Sequence, residues 1–284
     1  MPTTKNTWDW QIDNRTSFWS HSFKELWAYR HLLAGLVRRH FLLHYQQTIL
    51  GPVWILFQPI MTLATYVLVF NKLVGISTGG LPPVVFYASG IILWNFFSES
   101  FTGTSSTFRE NAQIFSKVYF PRIIMPMAVL STQFLRFLMQ LLMFLLVILY
   151  FSLFAGMPVH LSEELIMFPV AIILIGAIGL GMGLLLSVLT AKYRDMNNLV
   201  ALGVRLLMFV TPVIYPMAVI NEKVRWIVLL NPLTPLFELF RFSLLGEGYV
   251  TPLQILYSFV FAALLLLGAT LLFNKQGDKL IDIV

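Results

Sequence analysis

Residues 165–191 read LIMFPVAIILIGAIGLGMGLLLSVLTA, 27 consecutive positions without a charged side chain. As a helix this run is about 40 Å long, enough to cross a ~30 Å hydrocarbon core with room for tilt. It carries Gly176, Gly179, Gly181 and Gly183, of which Gly179 and Gly183 have the GxxxG spacing that lets helix backbones approach closely in lipid. A phosphate-cradling loop would need a lysine after its glycines, and none follows. The pattern GxxxxGK[ST] occurs nowhere in the chain, so it does not hold ATP in a P-loop.

Five further apolar runs flank this one, at about 52–70, 83–104, 123–155, 196–217 and 252–273. Pro59 in the first predicts a kink. Over all 284 residues, 58% are hydrophobic and 11% charged, with mean hydropathy +0.79. A soluble domain carries about 25% charged residues, so this chain cannot cover a surface that faces water. Lipid admits only helices and closed barrels, and the runs are continuous rather than alternating. The sequence predicts an all-α integral membrane protein with six transmembrane helices. The chain has no cysteine, which removes disulfides, zinc–thiolate sites, iron–sulfur clusters and cysteine nucleophiles together.

The Lys and Arg residues set the orientation. Six lie within residues 1–50: Lys5, Arg15, Lys24, Arg30, Arg38 and Arg39. Arg109, Lys117, Arg122, Lys192, Arg194, Lys275 and Lys279 fall on the same side of the six runs, against Lys72, Lys223, Arg225 and Arg241 on the other. The positive-inside rule therefore predicts both termini in the cytoplasm, and an even number of spans agrees. The same asymmetry accounts for the pI of 9.6 without a nucleic-acid partner.

The chain divides at about residue 50. Residues 1–21 are polar, with Trp8, Trp10, Phe18 and Trp19 among them, and lack the order of a cleaved signal peptide. Ser22 and Glu25 have capping-box spacing. Beyond them Leu26, Tyr29, Leu33, Leu36, Val37 and Phe41 form one face, with Lys24, His31, Arg38 and Arg39 largely on another. Such a basic amphipathic helix suits the membrane interface, and an ordinary packed helix is the alternative. Residues 1–50 thus read as cytoplasmic tail and interface helix, and 51–284 as the six-span domain.

Two connections are more than loops. In residues 107–122, Thr107 and Glu110 match a capping box, Phe108, Ala112, Phe115 and Tyr119 make an apolar stripe, and Pro121 ends the helix. The segment can rest on the bilayer or insert into a groove of a soluble partner. After the fifth run, residues 221–230 and 237–245 predict two short helices separated by Asn231, Pro232, Thr234 and Pro235, with Thr234 as cap. The second is too short to span and too apolar for a free loop, which predicts re-entrant external half-helices sheltered by protein or lining a water-filled path.

Three motif groups now coincide. They are Tyr45, Leu50-Gly51-Pro52-Val53-Trp54 and Pro59; then Phe115, Lys117, Val118, Phe120-Pro121-Arg122 and Pro126; then Tyr193-Arg194-Asp195, Pro212-Val213, Tyr215, Asn231-Pro232, Pro235 and Arg241. From about residue 24 onward the chain resembles the membrane subunit of type-2 ABC exporters for lipid-linked polysaccharide, the permeases for O-antigen, capsular polysaccharide and teichoic acid. The resemblance implies a homodimer that docks two ATP-binding subunits, with ATP and Mg held by those partners and no cofactor in this chain. It implies a transport subunit of the inner membrane rather than an enzyme. It makes Phe108, Arg109, Glu110, Phe115, Lys117, Tyr119, Pro121 and Arg122 a coupling helix. Asn231, Pro232, Pro235, Phe237 and Arg241 would form an external gate, and Arg30, Arg38 and Arg39 the interface helix.

Inside the runs only Arg136, Arg205 and Glu99 are charged. A lipid-facing arginine costs at least about 2.5 kcal/mol, so each arginine needs a partner or a water-filled path. Arg205 can attract the pyrophosphate of a lipid-linked donor; the alternative is a structural pair with Glu99 or snorkelling. Trp94, Phe97, Phe209 and Tyr215 join Arg205 as possible substrate-path residues. Competing readings are an exporter of teichoic acid or of another amphipathic substrate, and an ion-coupled secondary transporter. The last would normally show internal repeats and more buried acids.

Overall fold

The computed structural model describes residues 27–115, 120–157 and 163–280. Lys117 and Tyr119 lie outside the described residues, as do the 1–21 head and the Ser22/Glu25 capping pair. Among the described residues there is no strand. The helices are α1 (Arg30–Tyr45), α2 (Trp54–Tyr66, prolonged by a π-helical turn Val67–Leu73), α3 (Pro83–Ser105), α4 (Thr107–Glu110), α5 (Ala112–Phe115) and α6 (Ile124–Ala155). They continue with α7 (Phe168–Lys192), α8 (Met196–Val210), α9 (Glu222–Leu230), α10 (Thr234–Leu245) and α11 (Pro252–Leu280).

Among the described residues, five stretches are long and apolar enough to cross a membrane: Gly51–Leu73, Pro83–Ser105, Ile124–Ala155, Glu164–Lys192 and Pro252–Lys275. The expected span at 196–217 is shorter than the hydropathy implied. Its helix, α8, stops at Val210 because Thr211 precedes Pro212 and is extended, at φ −99° and ψ 140°. α9 and α10 meet at 96° and together pass the same test of length and composition, as a broken span or a re-entrant pair. Among the described residues the count is therefore five to six.

The charge-free run forms the middle of the packing. On α7, a Cβ at Gly179 would sit 3.2 Å from the Phe97 carbonyl, and one at Gly183 would collide with Thr104, both on α3. Gly181 faces the other way, where a Cβ would come 2.9 Å from Leu265 on α11. Small residues thus let α7 lie close to two neighbours at once. Burial covers 78% of the apolar window of α3 but 17% of those of the first and last spans, which leaves α2 and α11 facing outward.

Pro59 sits inside α2 without ending it. Its missing N–H frees the carbonyl of Ile55, and the Gln140 amide on α6 donates to that carbonyl at 3.3 Å. In lipid such a freed carbonyl needs a partner, so Gln140 makes the proline tolerable.

The two ends of the bundle collect different residues. At one end, Leu36 of α1, Phe108, Phe115, Phe120, Ile124 and Phe273 form one buried cluster. At the other, Phe86, Val213, Leu236, Phe237 and Phe240 belong to the main core, with Phe168 packed against it. The basic connections lie at the first end.

Candidate functional site

At the basic end, the segment between α3 and α6 differs from a single amphipathic helix. It is two turns, α4 and α5, broken at Asn111. Thr107 does not cap: only Ser106 separates it from helix α3, and its hydroxyl donates back to the Gly103 carbonyl at 3.1 Å. The apolar stripe points inward. Phe108 stacks on Phe273 at 5.0 Å and Phe115 on Phe120 at 5.7 Å, both within the chain's own core. Arg109, Glu110 and Gln113 are the exposed residues, Arg122 is half-buried and Pro121 buried.

α1 packs along α6 with Leu36 buried, while Arg30, Arg38 and Arg39 remain exposed. His40 on the same helix is hydrogen-bonded to the Asn111 side chain at the break between α4 and α5. Burial pushes its pKa below the ordinary value, aided by Arg39, while Asn111 and Glu110 pull the other way.

The opposite end is built around Arg241. Its guanidinium donates to Glu238 at 3.3 Å, to the Ser89 hydroxyl at 3.2 Å and to the Val213 carbonyl at 3.3 Å, and lies 4.0 Å from the centre of the Phe86 ring. Glu238 also accepts from the Tyr249 amide at 3.2 Å. Gly90 admits this arrangement, since a Cβ there would lie 2.5 Å from the Val213 carbonyl and 3.0 Å from the Arg241 side chain. The Asn231–Pro235 corner is equally closed. The Asn231 carboxamide accepts from Leu233 N at 3.0 Å and donates to Thr211 at 2.8 Å. Thr234 is not the cap; its hydroxyl donates to the Val228 carbonyl at 2.6 Å, and the side-chain oxygen of Asn231 takes the amide just before the helix. Ser258 donates to the Pro232 carbonyl at 2.8 Å. Phe237 is fully buried.

The substrate-path candidates separate into two groups. Trp94 and Phe97 are core residues in mutual ring contact at 5.4 Å, so neither lines a surface of a single chain. Arg205 and Phe209 lie one turn apart on the exposed face of α8, and the Tyr215 hydroxyl donates to the Phe209 carbonyl at 2.7 Å. Glu99 pairs with Arg136 at 3.2 Å, not with Arg205.

Around that pair is a polar cavity of about 240 Å³, lined by Tyr45, Trp54, Gln58, Asn95, Glu99, Arg136 and Gln140 among others. Arg136 also donates to Gln133 at 3.2 Å and lies 5.4 Å from the centre of the Tyr45 ring. Sequence reasoning does not single out Gln58, Asn95 or Gln140. The available signal was their spacing: each stands four residues from Trp54, Glu99 or Arg136, on one face of its helix. Among the described residues no cluster of His, Asp and Glu could hold a metal ion.

Residues 31–245 match the ABC-2 type transporter family, more than half of the chain. The chain belongs to that family. This permease is 28% identical over 259 residues to an O-antigen export system permease protein RfbA of Klebsiella pneumoniae, covering 89% of the chain and 95% of that relative. A protein of the same name from Myxococcus xanthus is 29% identical over 221 residues, covering 77% of the chain and 82% of the relative. The permease is thus a multi-pass membrane transport subunit.

Proposed function

We propose that this permease is the transmembrane subunit of an ATP-driven exporter that moves lipid-linked polysaccharide, O-antigen-like, from the cytoplasmic to the external face of the inner membrane. The observation that carries the reading is the match over 95% of a relative named for O-antigen export. Two copies pair and two ATP-binding subunits, which hold ATP and Mg, dock on the basic end, with both termini on that side. The exposed Arg109, Glu110 and Gln113 of α4 and α5 present the docking face; Phe108, Phe115, Pro121 and Arg122 hold it from behind. α1 with Arg30, Arg38 and Arg39 lies at the cytoplasmic interface.

Arg205 lies among the exposed Leu202, Leu206 and Phe209. A guanidinium there would be costly against lipid, which supports turning this face of α8 to the second copy and a wet path. Tyr215 lies at the outer end of that path, with Trp94 and Phe97 packed in the core. The α9–α10 pair, with Asn231, Pro232, Pro235, Phe237 and Arg241, caps the outer mouth and is tied to α3 and α11 through Arg241–Ser89 and Ser258–Pro232.

In a host strain lacking this chain, surface polysaccharide should disappear and lipid-linked polysaccharide accumulate inside. The wild-type chain should restore export. The double variant Arg109→Glu, Glu110→Lys should not, and the ATP-binding subunit should cease to co-purify with it. Normal surface polysaccharide in the deletion strain would refute the reading.

A further inference from the structure

We infer that the polar cavity between α2, α3 and α6 is a subsite for one neutral sugar ring of the exported glycan, an inference that rests on the export reading above. Three helices each send two groups into it from successive turns: Trp54 and Gln58, Asn95 and Glu99, Arg136 and Gln140. Arg136 lies about 18 Å along α6 from its first residue, at 1.5 Å per residue. Polar groups at such depth are costly unless they meet a partner.

Two atoms there have none. The Gln140 side-chain oxygen and Arg136 Nε are buried without a hydrogen bond. Gln140 cannot relieve this by turning over, because its amide nitrogen is committed to the Ile55 carbonyl left free by Pro59. Both atoms are sealed behind the cavity wall, so what the wall offers a ligand is the remaining edge of the Glu99–Arg136 pair and the carboxamides. A hydroxyl suits such a wall of donors and acceptors, since it both donates and accepts. Among the described residues the Asn95 and Gln58 carboxamides make no side-chain hydrogen bond, and the half-exposed Trp54 offers a ring face for the C–H side of a sugar.

Charge selects among ligands. The Glu99–Arg136 pair cancels, so the cavity does not gather an anion, and the carboxylate opposes a phosphate. A polyhydroxylated ring without charge fits better than the pyrophosphate of the carrier.

The test is photocrosslinking in cells that export their own glycan. A photoreactive side chain is placed at Gln58, with a control at Phe134 on the apolar side of α6. The adduct at position 58 should stain for carbohydrate and the control should not. Asn95→Leu, or the milder Asn95→Ala if the first lowers the yield of complex, should cut the carbohydrate adduct at least fivefold at equal permease. A position-58 adduct without carbohydrate, no adduct in exporting cells, or labelling indifferent to both Asn95 variants means a water-filled cavity only and overturns the subsite. If the wild-type chain places no glycan on the surface of these cells, the export reading itself has failed.

Discussion

Two Arg–Glu pairs among the described residues are nearly equal in length, 3.3 Å for Arg241–Glu238 and 3.2 Å for Arg136–Glu99, and they do opposite things. The first is closed. Its side chains are 2% and 6% exposed, and hydroxyl, carbonyl, amide and ring partners surround it. The second opens on a cavity, with Glu99 39% exposed and Arg136 Nε unpaired. A charge pair whose neighbours satisfy every arm holds helices in place. One that leaves arms over, beside space, has capacity for a ligand. Distance alone does not distinguish them; what surrounds the pair does.

The largest effect should come from breaking the closed pair. Glu238→Ala leaves Arg241 buried without its counter-charge and Tyr249 without its acceptor, a loss of about 3–5 kcal/mol. Thermal unfolding in detergent, followed by size-exclusion, should show it as a marked drop in midpoint. Replacing both partners, Glu238→Leu with Arg241→Met, should recover most of the loss, since no buried charge then remains. A Glu238→Ala protein as stable as wild type would remove the distinction between the two ends.

Glu99→Gln should do much less to stability. The glutamine amide keeps an acceptor for Arg136, and Glu99 borders the cavity rather than a closed core, so the loss should stay well below that of Glu238→Ala. The same unfolding assay should find a midpoint close to wild type. A loss matching that of Glu238→Ala would mean that the open pair is structural as well.

The smallest effect sharpens the basic end. Burial lowers the His40 pKa, so folding favours the neutral ring. The resulting stabilisation is fully present above the unfolded value, about 6.5 for histidine, and is lost as pH falls through the lowered folded value. Acidification should therefore loosen α1 from Asn111, seen as faster hydrogen exchange in α1 and α4. His40→Gln should abolish that pH dependence, and an unchanged profile in this variant would exclude His40 as its source.

Much of the fold was legible because lipid imposes a coarse rule. Residues 165–191 and 252–273 hold no charge, and only a helix can carry such runs through a bilayer. The glycines at 179 and 183 likewise announced close packing, which α3 supplies. The α8 span was overestimated because hydropathy averages over Thr211 and Pro212, whereas backbone geometry does not. In the candidate site, the sequence marked Arg136 and Arg205 as charges in need of a partner or a wet path, with Glu99 as a possible partner. It marked the Phe108 and Phe115 stripe as apolar without saying which way it faces.

By itself, then, the sequence determined the solvent of this protein, its helical class and the asymmetry of its two ends, since these follow from composition and periodicity along one chain. Tertiary structure alone decided that Phe108 stacks on Phe273, 165 positions away, that Gln140 serves the carbonyl released by Pro59, and that Arg136 rather than Arg205 takes Glu99. Each of these is a choice among residues of suitable chemistry. Only the packing distance between helices makes the choice, because hydrogen bonds and ion pairs act over a few ångströms.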